Sequence, residues 1–361
     1  MTTLSASPEL LNAWNKYYST IEEMRLKTEN TARFQDRPQH RAKAYHALME
    51  AQARAYNFAV APRLHHPRVQ VGTGWQTDFY ALGQNCPDFQ YGVFFLDGRR
   101  KYRITGRFGD IRLLLLQTHN FLMGHPDAKT TGTFDFWTFD LGPGHSFDIE
   151  VSAERTGRNW IPLEPTLGYQ FVLLRRAMGD WNDDPGEFEL TMLDEPADGF
   201  YDYDEFSESA MAERISRAAD WLPGTVTSQV GSPLSHYAMG VFDLKDDEAL
   251  IVELAKIPDC AYWSLQLGDV WSRSLEFMHY QTSVNLQHAK IDSAGVFRAV
   301  VSKEDPGISN WLDTRGRGRS ATSESALGRT IYHDCGLLLP NCSKDALGSN
   351  GTRSRFEMAA A

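Results

Sequence analysis

The sequence predicts a mainly β protein, an antiparallel β-sandwich or jelly-roll-like fold with a helical hairpin at its N-terminus. Three observations predict it. From Arg68 onward apolar residues recur at a period of two in short runs. Gly, Asp-Gly and Pro turns punctuate those runs at intervals of roughly 8 to 12 residues, the spacing of sandwiches and barrels rather than of βαβ units. Ahead of them, two stretches carry apolar residues at helical spacing. A chain of 361 residues suits two domains, or one domain with a helical annex.

The first helix is expected over residues 8–28. Ser7 can cap it, Pro8 suits its first turn, and Leu11, Trp14, Tyr18 and Ile21 form its apolar stripe. A second, Ala-rich helix is expected over residues 38–58, with His40 and His46 as surface or packing residues. The two are expected to pair as a hairpin over residues 1–66, packed on the outside of the β regions or against a second copy of the chain. The first β region spans residues 67–205. It turns at Asp97-Gly98, at Arg107-Phe108-Gly109-Asp110 and at Gly142-Pro143-Gly144, and residues 168–177 read as a buried strand. The acidic run over residues 180–205 reads as a solvated loop. A helix at 208–221, with Ser207 as its cap, and a Gly/Ser/Thr-rich linker fill residues 206–240. The second β region, residues 241–314, alternates again, turns at Ser293-Ala294-Gly295 and closes on Asp305-Pro306-Gly307 before Trp311. Residues 315–361 lose all period and read as an irregular tail.

Composition narrows the partners. A net charge of −11 opposes binding to a nucleic-acid backbone. No apolar run approaches the roughly 20 residues that cross a bilayer, and the first residues lack the pattern of a signal peptide. The four cysteines are widely spaced and match no zinc pattern. A cytoplasmic protein with no nucleic-acid or membrane partner is expected. No Gly-x-Ser-x-Gly, His-Glu-x-x-His, His-x-His or Gly-x-Gly-x-x-Gly motif occurs, so neither a metal nor a nucleotide cofactor is expected.

Four phrases carry a resemblance: KYRITGRFGDIRLLLL at 101–116, GRNWIPLEPTLGYQFVLLRRAMGDW at 157–181, AYWSLQLGDVW at 261–271 and VSKEDPGISNWLDT at 301–314. Together they resemble a bacterial family known only as a domain of unknown function, the "twelve-fourteen" family, over residues 70–314. The resemblance implies an antiparallel sandwich or jelly roll and no particular reaction. Members often continue with a final apolar strand where this chain turns polar.

Candidate chemistry gathers where Trp residues meet strand ends. Trp263 alternates with Ser264 and Gln266 along a strand, and Asp269 and Trp271 come after Gly268 at its end. Asn159-Trp160 precedes Pro162, and Asn310, Trp311 and Asp313 come after the Pro-Gly turn. An aromatic wall with a few polar groups is the composition of a small-molecule pocket. Its alternative is a set of separate core plugs, with Asn310 and Asp313 satisfying local backbone. Among the histidines, His279 beside Tyr280 and Gln281 is the acid–base candidate, paired with Asp269 or Asp313. Arg103 belongs to a basic stretch, Arg99 to Arg112, which suits an acidic ligand or, more simply, pairs with the acidic run. Three functions fit these features. The first is an enzyme acting on a small, largely apolar metabolite (aromatic, terpenoid or steroid-like) by acid–base chemistry. The second is a non-catalytic module binding carbohydrate or another small molecule. The third is a structural subunit that forms homo-oligomers through its N-terminal helices.

Overall fold

In the computed structural model, α1 (Pro8–Glu29) begins where the Ser7 hydroxyl accepts a hydrogen bond from the Leu10 amide at 3.3 Å. The structure describes residues 5–64, 67–73, 86–122, 125, 127–194, 206–225, 235–242, 244–257, 259–271, 273–315, 334–340 and 357–360. A short helix not expected from the sequence, α2 (Ala32–Asp36), is capped by Thr31. Next comes α3 (Pro38–Ala55), which ends in one wider turn, Tyr56–Val60, closed by the Ala61 amide on the Tyr56 carbonyl at 2.8 Å. α4 (Glu208–Thr225) starts at Ser207, whose hydroxyl accepts from the Ala210 amide.

The hairpin expectation needs correction. α1 packs chiefly against α4, with α3 a lesser neighbour. The ion pair of Lys16 with Asp220 at 2.6 Å and the Ser7 amide donating to Glu208 at 2.9 Å tie them together. The stripe expected to be buried is turned outward: Trp14 is 49% and Tyr18 59% exposed, while Ala13 and Met24 are buried. The buried residues of α1 are Ala13, Met24 and Thr28, so the face it covers is not the one that carries Trp14 and Tyr18.

The chain forms two compact units. Unit 1 comprises residues 1–73, 90–176 and 184–230; unit 2 comprises residues 74–89, 177–183 and 231–361. The strands before α4 are β1 (Gln70–Thr73), β2 (Phe89–Leu96), β3 (Tyr102–Arg107), β4 (Leu113–His119), β5 (Thr130–Asp135), β6 (Ser146–Ser152), β7 (Trp160–Pro162), β8 (Gln170–Ala177) and β9 (Glu187–Met192). They form one sheet in the order β1-β2-β8-β4-β5 and another in the order β7-β6-β3-β9. After α4 come β10 (Ser235–Val241), β11 (Glu248–Leu254), β12 (Ser264–Leu267), β13 (Ser283–Asn285), β14 (Phe297–Ser302), β15 (Trp311–Asp313), β16 (Asp334–Pro340) and β17 (Glu357–Ala360). These give sheets β10-β16-β12-β13 and β15-β14-β11-β17. The sheets are mostly antiparallel; β6/β7 and β14/β15 pair in parallel.

Burial follows from the pattern. Every residue of β4 and of β8 is buried, so that part of the sheet is covered on both faces, and both strands accordingly read as near-continuous apolar runs. β3 keeps Tyr102 and Ile104 in and Arg103 out. In unit 2, side chains of β11, β12, β13 and β14 meet in one cluster around Phe297, Leu265 and Trp263. The Asp97-Gly98 turn joins strands of different sheets rather than making a hairpin. The Gly98 amide donates to the Leu167 carbonyl at 2.9 Å, and a Cβ at Gly98 would fall 1.9 Å from the Glu164 carbonyl oxygen. Glycine is required there by close approach.

Two further expectations change. The acidic run is not all loop: residues 187–192 pair with β3, with Glu187 and Glu189 exposed and Phe188 and Leu190 turned inward. Its residues 195–205 lie outside the described residues, as do 226–234 of the linker. The tail is not irregular throughout either. β16 lies between β10 and β12, and β17 pairs with β11. Short strands amid polar, Gly-rich sequence carry too little period to be seen locally, and distant pairing supplies what local pattern lacks.

Candidate functional site

The wide turn after α3 has a chemical consequence. The Ala59 and Val60 carbonyls at the end of that turn, like the last carbonyls of any helix, are left to accept from α4, where the Arg217 and Arg214 guanidiniums reach them at 3.5 and 3.3 Å. Arg217 also donates to Glu213 at 2.6 Å, and its guanidinium carbon lies 3.6 Å from the Tyr169 ring centroid. The Tyr169 hydroxyl donates to the Phe58 carbonyl, and its ring stacks on Phe95 at 4.8 Å. Burial raises the Tyr169 pKa despite the opposing Arg217 charge, so the phenol stays neutral.

These groups border a cavity of about 580 Å³ within unit 1, a volume in the range of small-molecule sites. Tyr169, Trp221, Phe121, Leu122, Leu64 and Leu167 line it with apolar surface. Arg99, Arg214, Arg217, His125, Glu213 and Asp220 give it a polar side. Several of these charges are already engaged: Arg99 with Asp97 at 2.6 Å, Arg217 with Glu213, and Asp220 with Lys16. Arg214 faces no carboxylate among the described residues; it donates to the Val60 carbonyl and sits over the Phe206 ring at 5.6 Å. The cavity can therefore take an apolar body and offer one cation to an acidic end.

β4 ends in three buried polar side chains, Gln117, Thr118 and His119. His119 is 1% exposed, lies against Phe171 at 5.4 Å and meets the Thr130 hydroxyl through Nδ1 at 3.3 Å; its Nε2 has no partner among the described residues. Burial, with the nearby Arg175 charge adding to it, lowers the His119 pKa to about 4. Gln117 donates to Thr133 at 3.4 Å while its Oε1 has no partner among the described residues.

The residues singled out from sequence lie elsewhere. His279 is exposed, and its partners are Glu276 at 3.4 Å and the Tyr280 ring. Asp269 accepts from the Trp271 and Arg273 amides, and Asp313 from the Arg315 amide and guanidinium. The carboxylate beside His279 is thus Glu276, because both aspartates are held by the turns that come directly after them. Trp263 and Trp271 are buried, Trp263 edge-on to Phe297 at 5.0 Å. Gln281 donates to the Ser309 carbonyl. Arg103 is exposed near Asp148 at 3.4 Å.

Asn310 clamps backbone: its Oδ1 accepts from the Lys290 amide at 2.8 Å, and its Nδ2 donates to the Lys290 and Arg298 carbonyls at 2.6 and 2.8 Å. Trp311 donates to the Ser302 hydroxyl at 3.0 Å. Asn159 does the same within unit 1, accepting from the Asp140 amide at 3.0 Å and donating to the Asp140 and Asp148 carbonyls at 2.9 and 3.3 Å. Trp160 donates to the Ser152 hydroxyl at 3.1 Å.

Unit 2 contains a second polar cluster that sequence reasoning missed. The Tyr262 hydroxyl donates to Asp88 at 2.5 Å, the Trp181 indole donates to the other Asp88 oxygen at 2.9 Å, and the Cys86 sulfur lies 3.3 Å from the Tyr262 hydroxyl. Burial raises the Asp88 pKa against the pull of these hydrogen bonds and pushes the Cys86 thiol up to about 12. Cys86, Asp88 and Tyr262 are buried, and the Asn285 amide adds a bond to the Gly179 carbonyl at 2.9 Å. The cluster joins residues 86–89 and 177–183 to β12 and β13, an anchoring role. Among the described residues, no three His, Cys, Asp or Glu side chains gather to hold a metal ion.

Comparison with known proteins gives a fold. No family model matches the chain, and no curated protein does. The crystal structure of an uncharacterised protein from Burkholderia cenocepacia is similar with a TM-score of 0.77 over 93% of this chain and 95% of that one, at 23% identity. A crystal structure from Vibrio parahaemolyticus matches with a TM-score of 0.53 over 88% of this chain and 96% of that one, at 12% identity. At such identities the likeness is one of fold alone. No helix among the described residues is long and apolar enough to cross a membrane.

Proposed function

We propose that the protein binds a small amphipathic metabolite, with an aromatic or terpenoid-like body and an acidic end, in the cavity of unit 1. The supporting observation is that the Tyr169 and Trp221 rings line the same cavity as Arg214, a cation with no ion pair among the described residues. The acid–base residues expected from the sequence, His279, Asp269 and Asp313, line no part of the cavity, so the reading is one of binding. Each unit is taken as a β-sandwich, jelly-roll-like in that most successive strands cross between sheets, and the cytoplasm as the protein's place. Such a role is compatible with membership of the "twelve-fourteen" family, which names no reaction.

The test is a thermal-shift and tryptophan-fluorescence screen with aromatic and terpenoid carboxylates, their neutral alcohols, and simple sugars. A ligand at 100 times its Kd should stabilise by roughly 2.7 kcal/mol. Carboxylates are expected to raise Tm and perturb Trp221 emission, and Arg214→Gln is expected to weaken them about tenfold while sparing the alcohols. A response confined to sugars, or one unchanged by Arg214→Gln, overturns the proposal.

A further inference from the structure

The two sheets of unit 1 and the two of unit 2 run in the same order. Dropping the edge strand β1, the series β2-β8-β4-β5 corresponds to β10-β16-β12-β13, and β7-β6-β3-β9 to β15-β14-β11-β17. Each strand then keeps its place in both chain order and sheet order.

Register agrees as well as topology. In β3/β6, Tyr102 faces Val151 and Gly106 faces Phe147; in β11/β14, Leu250 faces Val301 and Leu254 faces Phe297. Across the opposite edge Tyr102 faces Met192, and Leu250 faces Met358. The parallel pairs repeat too, Glu150 with Trp160 and Val300 with Trp311. In the other sheet Leu115 faces Asp135 as Ser264 faces Asn285. A register slip of one residue would exchange the faces of a strand, so agreement in these four pairs is a demanding coincidence.

The side-chain hydrogen bonds of one Ser, Asn and Trp set in each unit correspond, with one further Trp311 bond to the Ser302 carbonyl. Asn159 holds both backbone groups of Asp140 and the carbonyl of Asp148; Asn310 holds both of Lys290 and the carbonyl of Arg298. The Ser152 and Ser302 hydroxyls each accept from the indole of the next Asn-Trp pair and each donate to the carbonyl two residues on, Glu154 and Glu304. The Leu163 amide bonds to Ser152 as the Thr314 amide bonds to Ser302. Sequence retains fragments of the match: Gly-Val-Phe-x-Leu at 92–96 and 240–244, and Val-Ser-x-Glu at 151–154 and 301–304.

We infer that the chain is an internal duplication of one eight-stranded β unit, and that Ser152/Asn159/Trp160 and Ser302/Asn310/Trp311 are the retained clamp closing each copy. The Asn-Trp motifs are thereby positioning residues of the scaffold rather than parts of a ligand wall. Recognition then belongs to what unit 1 has beyond the repeat: the helices α1, α3 and α4, with the cavity that α4 borders.

The test uses the full-length chain. Residues 152–160 are replaced by the sequence of residues 302–311, and reciprocally; Asn159→Ala, Asn310→Ala, Trp160→Phe and Trp311→Phe are made singly. Both exchanges are expected to fold with Tm within about 5 °C of wild type. Each Asn→Ala is expected to lower Tm by roughly 5 °C or more, and each Trp→Phe by less. Hydrogen exchange should rise locally, at residues 150–163 for Asn159→Ala and 300–314 for Asn310→Ala. Unequal behaviour of the two copies overturns the inference: a clamp residue silent in one unit and destabilising in the other, or unchanged exchange at its own strand pair. If an exchange variant fails to fold, the single substitutions still decide.

Discussion

His119 makes folding stability depend on pH with a definite sign. The ring is 1% exposed and its pKa is lowered from 6.5 to about 4, by burial first and by the Arg175 charge second. The folded state therefore holds His119 neutral, while the unfolded chain takes up a proton near pH 6.5. Its contribution is fully present above that pH and is lost as pH falls towards the folded value. A displacement of that size corresponds to roughly 3 kcal/mol in full, of which about 2 kcal/mol falls between pH 7 and pH 5. His119→Phe keeps a ring against Phe171, removes the titration and removes Nε2, which has no partner among the described residues. Urea unfolding of both proteins at pH 7 and pH 5, at constant ionic strength, isolates the effect. The wild type should lose about 2 kcal/mol more than the variant on acidification. Equal losses would refute the reasoning, since Asp88 and the other titrating groups are common to both proteins and cancel in the comparison.

Asp88 is shifted the other way: its pKa is raised, so its contribution favours folding at low pH and is lost as pH rises through the folded value. Asp88→Ala should cost roughly 2–4 kcal/mol in urea unfolding by stranding the Trp181 and Tyr262 donors, whereas Asp88→Asn should cost less than about 1 kcal/mol at pH 7. Gly98→Ala should be among the most damaging single-methyl changes, because the Glu164 carbonyl must move from a site 1.9 Å from the new Cβ; a Tm within 2 °C of wild type, roughly half a kcal/mol, would contradict it. Cys86, with its thiol pushed up to about 12 and fully buried, should resist iodoacetamide in the native protein and react on unfolding, as read by peptide mass spectrometry.

The candidate site was less legible than the fold, and particular residues show why. Ser7 and Ser207 cap helices and residues 170–177 form a buried strand, because capping and periodicity are local properties. Trp14 and Tyr18 obeyed helical spacing yet point outward, since spacing defines a face without saying which neighbour will cover it. The Asn-Trp pairs read as ligand groups in the sequence, but an aromatic beside an amide looks the same there whether it meets a ligand or a backbone. Gln117 and His119 sit inside an apolar strand where nothing in the sequence distinguishes them from surface alternation. Repetition between the two units was hidden because register and backbone hydrogen bonds persist when few side chains do.

The sequence by itself determined the class of the protein: mainly β, helical at its start, acidic, and free of any run able to span a bilayer as a helix. Those properties follow from composition and from periods of two and 3.6, which need no distant partner. The tertiary structure alone decided that α4 lies on α1, that Arg214 and Tyr169 border one cavity, and that β16 completes a sheet begun about a hundred residues earlier at β10. Each of these is a contact between segments far apart in the chain. No local pattern encodes such a contact, because its energy comes from surfaces that exist only once both segments have folded.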